Sequence, residues 1–227
     1  MFNLCRFCTT IENMHYYMKG KSMSKNKSNK KFWERVAKLY TPMHEKKNKE
    51  LYEKLCEKIG KMLTRDMSVL ELACGIGQLS FSLCEKVSVW EATDFSEKMI
   101  IEAEKRKKDF LVNFSVQDAT NLPYNDGAFD TVVIANALHI MPDPDKALSE
   151  IKRVLKKDGI LIAPTFVYDG HINKMRIWMM ERIGFKTFHK WKSSELTEYV
   201  RERGFVVKES SVIEGEMLPE CLLVCKR

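Results

Sequence analysis

The clearest chemical signal in the sequence is a pair of glycines that follows a mostly apolar run. Residues 69–72 form that run, Gly75 and Gly77 come shortly after it, and a helical pattern begins at Gln78. Glycines between a strand and a helix let the backbone turn tightly and approach a ligand, and the first N–H groups of the helix lack partners within it. This pattern predicts a binding site for a polar cofactor.

An acidic residue limits which kinds of cofactor the site could bind. Asp94 lies 19 residues after Gly75, at the end of the next strand-like run, where a carboxylate can accept hydrogen bonds from both hydroxyls of a ribose. A dinucleotide site would need a third glycine at position 80, where the sequence has Ser80, and Glu71 would repel a pyrophosphate. A nucleoside with a cationic sulfonium and a methionine tail fits this pattern better.

Several motifs in order resemble those of class I S-adenosylmethionine-dependent methyltransferases, and the resemblance covers about residues 32–227. The matching segments are 71–77, 91–99, 117–123, 129–136, 151–159 and the terminal hairpin. The resemblance implies S-adenosyl-L-methionine as the cofactor and methyl transfer as the activity. Ala73 departs from the family pattern, which usually has glycine there.

The same resemblance implies the residues that hold the cofactor. Asp94 binds the ribose, Asp118 accepts a hydrogen bond from the exocyclic amine of adenine, and Asn136 faces the methionine part. The full predicted set is Glu71, Ala73, Gly75, Gly77, Asp94, Phe95, Met99, Asp118, Ala119 and Asn136. No metal is expected.

Two residues are candidates for catalytic roles. Residues 137–144 resemble the branch of the family that acts on small molecules and lipid quinones, and His139 within them could be a general base, since the ordinary pKa of histidine is about 6.5. A structural histidine near the cofactor is the alternative. Tyr40 could close over the cofactor with Trp33, as the amino-terminal helices do in related enzymes, or it could anchor its helix to the core.

A parallel sheet is needed to bring these residues together. Strands are predicted at 68–73, 87–93, 112–116, 129–136 and 159–166, and helices at about 78–86, 96–108, 144–156 and 194–203. This alternation predicts helices on both faces of the sheet, and residues 205–213 and 220–226 add an antiparallel terminal hairpin. The predicted fold class is α/β, with a Rossmann-like, seven-stranded, mostly parallel sheet.

Other segments are predicted to flank or cover this sheet. Residues 1–31 are expected to form a basic, disordered extension, and residues 32–227 the methyltransferase domain. Two amphipathic helices within 32–64 would form a lid, and residues 167–192, which are rich in aromatic side chains and methionine, would form a cap. The inner face of the cap could be an apolar acceptor pocket or simply a packed helix.

Composition and charge limit the remaining functions. The 227-residue chain has a net charge of +7, and its first 66 residues carry 16 Lys and Arg against 7 Asp and Glu, so the rest is slightly acidic. This distribution disfavours nucleic-acid binding. No apolar run reaches the ~18 residues of a membrane helix, and the seven cysteines do not form a disulfide framework.

We expect a cytoplasmic enzyme with a small-molecule acceptor. An RNA methyltransferase and a non-catalytic cofactor-binding module stay open as alternatives.

Overall fold

The fold is described by a computed structural model for residues 32–34, 49–170, 172, 174–182, 185–215 and 218–227. The strands are β1 (Ser68–Leu72), β2 (Val89–Asp94), β3 (Asn113–Val116), β4 (Phe129–Ile134), β5 (Leu155–Ile162), β6 (Thr165–Phe166), β7 (Val206–Ile213) and β8 (Glu220–Lys226). The helices are α1 (Lys49–Gly60), α2 (Gln78–Leu83), α3 (Glu97–Glu104), α4 (Pro144–Val154), α5 (Lys174–Arg182) and α6 (Ser193–Glu202).

One mixed sheet contains all of these strands. Its order is β3-β2-β1-β4-β5-β8-β6, and β7 also pairs with β8. The first five strands in this order are parallel, whereas β8 runs antiparallel to β5, β6 and β7. The predicted α/β fold with a mostly parallel sheet and an antiparallel terminal hairpin is therefore confirmed.

Helices cover both faces of the sheet because its central strands are apolar on both sides. Side chains of α1, α2 and α3 pack in the same buried cluster as Val69 and Val133. On the opposite face, α4 and α6 pack in a second cluster with Leu70 and Val132. Neighbouring residues of a strand thus serve two different cores, which is typical of parallel sheets buried on both sides.

The strand predicted at 159–166 is divided in two. Pro164 lies at the break and has no N–H to donate to a neighbouring strand, while its carbonyl accepts the Asn136 N–H at 2.8 Å. β5 and β6 consequently pair with two successive parts of β8, Ile160–Ile162 with Val224–Lys226 and Thr165–Phe166 with Glu220–Cys221. Within the described residues the sheet has eight strands, because β5 and β6 replace the single strand that the sequence predicted.

Two other predicted strands end earlier than expected, for a common reason. Ala73 and Asn136 have φ angles of 55° and 52°, in the left-handed region. A backbone in this region leaves the extended path, so β1 ends at Leu72 and β4 ends at Ile134. Both turns lie at the edge of the sheet where the site forms.

Several predicted features concern the segments outside the sheet. Tyr40 and the expected extension at 1–31, which contains Cys5 and Cys8, lie outside the described residues. No helix in the described ranges is long and apolar enough to cross a membrane. The cysteines at positions 56, 74, 84, 221 and 225 are free thiols.

Helix α5 lies within the predicted cap and carries an exposed apolar group. Met175, Trp178 and Met179 are 66%, 51% and 57% exposed, whereas Ile177 is buried. The three exposed side chains therefore do not form a closed pocket wall in this structure. A role of residues 167–192 in holding an acceptor stays a prediction.

Candidate cofactor site

A cavity opens at the carboxyl ends of β1, β2, β3 and β4. Turns that follow parallel strands meet at this edge, so residues far apart in sequence come together there. Nine of the ten residues predicted to hold a cofactor line the cavity: Glu71, Ala73, Gly75, Asp94, Phe95, Met99, Asp118, Ala119 and Asn136.

The two glycines of the first turn have different surroundings. Gly75 has a φ of 57°, and a Cβ atom built on it would meet nothing within 4 Å. Its backbone is therefore open to the cavity. Gly77, which precedes α2, has a φ of 83°, and a Cβ there would lie 2.8 Å from Phe81 Cε2 and 2.9 Å from Phe114 Cζ. Gly77 does not line the cavity. A glycine is needed at this position because α2 packs closely against β3.

Asp94 connects the turns that follow β1 and β2. Its Oδ2 accepts the Gly75 N–H at 2.9 Å, and its Oδ1 accepts the Ser96 N–H at 2.8 Å. Burial raises the pKa of Asp94 to about 6, and these two N–H groups partly oppose the rise. Each oxygen has another lone pair, so the carboxylate can still accept ligand hydroxyls.

Glu71 is a buried carboxylate in the wall of the cavity. Its Oε2 accepts hydrogen bonds from Ser80 Oγ and from Trp90 Nε1, the latter at 2.9 Å. Burial nevertheless raises the pKa of Glu71 to about 7. The serine at the place of a third dinucleotide-binding glycine thus holds Glu71 in position, which the sequence did not reveal.

Asp118 is fixed by a local turn after β3. Its Oδ1 accepts the Thr120 N–H at 2.9 Å and the Thr120 Oγ–H at 2.7 Å. The Gln117 N–H donates to the Asp94 carbonyl at 3.1 Å, which ties this turn to the end of β2. Oδ2 of Asp118 is the carboxylate oxygen left to accept from a ligand.

Aromatic and apolar side chains cover part of the cavity. Trp33 lines it and packs against Ile76 and Met99. The Trp33 ring also meets Phe185 edge-on, with ring centroids 6.0 Å apart. Tyr52 of α1 lines the cavity as well, and it was missed in the sequence because it is one aromatic residue in an ordinary amphipathic helix.

Of the two candidate catalytic residues, Tyr40 lies outside the described residues and His139 does not line the cavity. His139 is 3% exposed and lies outside the cavity lining, whereas the next residue, Ile140, lines it. Burial lowers the pKa of His139 to about 3, with a further contribution from His189. His139 is thus neutral at pH 7. Its role as a base stays a prediction, as does that of Tyr40, which the structure does not describe.

The left-handed backbone at Ala73 gives a direct test of the turn geometry. Alanine is strained there and glycine is not, so we expect Ala73→Gly to raise the free energy of unfolding by roughly 1 kcal/mol. Ala135→Gly is the matched control, since Ala135 lines the same cavity without a positive φ. In urea denaturation, the free energy of unfolding of Ala135→Gly should fall. An equal fall in Ala73→Gly would show that Ala73 is unstrained.

Comparisons with known proteins agree with this geometry. Residues 70–163 match the methyltransferase domain family. A demethylmenaquinone methyltransferase from Staphylococcus epidermidis is 33% identical over 156 residues, which cover 64% of this chain and 64% of the relative. Another from Lactobacillus johnsonii is 36% identical over 118 residues, covering 49% of this chain and 46% of the relative. Among eight curated relatives, the chain spans between 32% and 64% of each relative's length.

Solved structures show the same fold. An S-adenosylmethionine-dependent methyltransferase from Thermotoga maritima matches with a TM-score of 0.67 and 22% identity, over 86% of this chain and 97% of that one. One from Aquifex aeolicus matches with a TM-score of 0.58 and 21% identity, over 75% and 88%.

The sheet, the glycine turn after β1 and the acid at the end of β2 define an α/β domain that binds a nucleoside cofactor. Residues 70–163 of the chain match a methyltransferase domain, as the motifs predicted, and solved structures that share the fold are S-adenosylmethionine-dependent methyltransferases.

Proposed function

We propose that the protein transfers a methyl group from S-adenosylmethionine to a small, largely apolar acceptor in the cytoplasm. The convergence of nine predicted residues on one cavity is the observation that carries this proposal. The names of the relatives, which are demethylmenaquinone methyltransferases, support an acceptor of the quinone type.

The described residues fit the cofactor. Asp94 would hold the ribose hydroxyls, Oδ2 of Asp118 the adenine amine and Oε1 of Glu71 the ammonium group of the methionine part. Gly75 leaves room for the cofactor beside the backbone, because no side chain fills that space. When bound, S-adenosylmethionine supplies a methyl group on a positively charged sulfur, so the chain has chiefly to orient the acceptor and exclude water.

The water-excluding surface is formed by Trp33, Ile76 and Met99. An aromatic face beside the sulfonium would also stabilise its positive charge. On the far side of the β4 turn, Ile140, Met141 and Pro142 line the cavity. An acceptor with a flat apolar body would be held by these side chains more strongly than a polar one.

Cofactor binding should depend on pH through Asp94. The hydroxyls of a ribose donate to the ionised carboxylate, so protonation of Asp94 competes with binding. With a pKa of about 6 in the free protein, the contribution of Asp94 to affinity should be constant above pH 7 and should fall roughly tenfold per pH unit well below pH 6. Glu71, whose pKa is about 7, adds a separate dependence around pH 7. Calorimetric titration from pH 8 to pH 5 measures this. Asp94→Asn should bind weakly and lose this part of the pH dependence; an unchanged profile in that variant would assign the effect to another group.

Methyl transfer can be tested with S-adenosylmethionine labelled in the methyl group. We expect label in a chemically reduced demethylmenaquinone and none in a pool of total RNA, with Asp94→Ala as the inactive control. Label in RNA would favour the alternative of an RNA methyltransferase. Tight cofactor binding without transfer to quinol, phenol, thiol or amine acceptors would favour a non-catalytic module.

A further inference from the structure

Buried polar atoms without a hydrogen-bond partner gather behind one wall of the cavity. They are both amide atoms of Asn136, Nδ1 of His139 and both carboxylate oxygens of Glu220. Glu220 is 0% exposed. A buried carboxyl group without a hydrogen bond destabilises the fold, so its presence requires an explanation other than stability.

Two of these residues, Glu220 and His139, are neighbours of Phe166, and the backbone of Asn136 is hydrogen-bonded shortly before it. Glu220 is the first residue of β8 and is paired directly with Phe166 of β6 and with Ile213 of β7. The rings of Phe166 and His139 meet edge-on with centroids 5.7 Å apart. The Asn136 N–H donates to the carbonyl of Pro164, two residues before Phe166.

Asn136 is close to Glu220 and also belongs to the cavity lining. Asn136 lines the cavity, whereas Glu220 and His139 do not. Burial raises the pKa of Glu220 to about 8, and the neighbouring Asn136 amide opposes part of that rise although the two groups lack hydrogen-bond geometry. The backbone of Asn136 is left-handed, with a φ of 52°.

We propose that Asn136 binds an oxygen atom of the methyl acceptor, a hydroxyl on an aromatic ring, and that Glu220 is a positioning residue that orients the Asn136 amide. This inference rests on the proposed function and adds the chemical class of the acceptor's polar group. An amide has a donor end and an acceptor end, so the group behind it decides which end the acceptor meets. An ionised Glu220 attracts Nδ2 and turns Oδ1 toward the acceptor hydroxyl. A protonated Glu220 donates to Oδ1 and turns Nδ2 toward the acceptor oxygen.

The charged and titratable groups around Glu220 are few among the described residues. The Cys221 thiol is its neighbour on β8, and the two groups interact electrostatically. His139, across Phe166, stays neutral because burial lowers its pKa to about 3. Glu71, whose pKa is about 7, also lines the cavity. The part of the pH dependence of acceptor binding that follows Glu220 is therefore the part that a Glu220 variant removes.

The test uses 1-naphthol as the aromatic hydroxyl probe and the full chain loaded with S-adenosylhomocysteine. Glu220→Met should weaken 1-naphthol binding at least tenfold in calorimetry and leave S-adenosylhomocysteine affinity within twofold. It should also raise Tm by roughly 2–4 °C, because the substitution removes a buried unpaired carboxyl group. Glu220→Gln should show a smaller change in 1-naphthol affinity between pH 6 and pH 8 than the wild type. Glu209→Gln, on the exposed side of the same hairpin, is the matched control and should change none of these values.

A double-variant cycle tests whether Glu220 acts through Asn136. The pair Asn136→Ala and Glu220→Met should bind 1-naphthol no more weakly than Asn136→Ala alone. Three results would overturn the inference. The losses of 1-naphthol affinity in the two single variants could add up in the double variant, or Glu220→Met could bind 1-naphthol like the wild type. The third is a fall in the Tm of Glu220→Met that accounts for its weaker binding. A wild-type protein that binds S-adenosylhomocysteine but not 1-naphthol overturns it as well. A wild-type protein that binds neither overturns the proposed function and the inference with it.

Discussion

Replacing Asp94 with alanine is expected to lower the affinity for S-adenosylmethionine at least tenfold at pH 7.5. Each charge-assisted hydrogen bond from a ribose hydroxyl is worth roughly 1.5–3 kcal/mol. The substitution also removes the acceptor of the Gly75 and Ser96 N–H groups, so the turn after β1 loses its link to β2. Both effects weaken binding of the same ligand, which makes this the largest expected change in affinity.

Calorimetric titration of three proteins separates the role of Asp94 from that of its strand. Glu91 lies on β2 as well, but at its exposed side, where it accepts a hydrogen bond from Asn113 at 2.7 Å. Glu91→Gln should therefore bind the cofactor like the wild type. An Asp94→Ala protein with wild-type affinity and an unchanged melting temperature would contradict the ribose assignment.

Gly77→Ala is expected to produce the largest loss of stability among single-methyl changes at the site. A left-handed alanine is strained by roughly 1–2 kcal/mol, and forcing a methyl group into a packed core typically adds 1–3 kcal/mol. The new Cβ would lie within 3 Å of both Phe81 and Phe114, which themselves pack against each other with ring centroids 5.6 Å apart. We expect the free energy of unfolding to fall by about 3 kcal/mol in urea denaturation.

Gly75→Ala is the matched control, since it has the same substitution and a positive φ but open space around its Cβ. It should lose only the 1–2 kcal/mol of backbone strain. Its methyl group would instead enter the cavity and weaken cofactor binding. If Gly75→Ala were the less stable of the two proteins, the division of tasks between these glycines would be wrong.

The parts of the fold that could be predicted depend on local patterns. The buried runs of β1 and β4 contain enough β-branched and aliphatic residues to indicate strands without any partner. Gly75 and Asp94 mark the ends of two such strands, and parallel pairing then places their turns side by side. Strand identity and strand ends were therefore sufficient to predict which residues line the candidate cofactor site.

The parts that could not be predicted depend on contacts between distant residues or on the orientation of a single side chain. The proximity of Glu220 to Asn136 follows from the position of β8 in the sheet, and no local pattern indicates it. His139 and Ile140 occupy one 3₁₀ turn, Leu138–Ile140, in which successive side chains point in different directions. The sequence places both residues near the cofactor but does not say which of them faces it. Pro164 indicates a break in the predicted fifth strand. The break was not predicted, because the residues around Pro164 have a strong apolar pattern.

The position of β8 has a consequence for biosynthesis. A ribosome releases β1 to β5 first, and these strands can pair as they emerge because each has a parallel neighbour among the others. Among the described strands, β6 and β7 pair with β8 alone. They and the outer edge of β5 therefore stay unpaired until β8 has been synthesised. An unpaired, apolar strand edge is prone to join with other nascent chains. The yield of folded protein is thus expected to depend on how fast codons 163–226 are translated and on chaperones that shield this edge in the meantime.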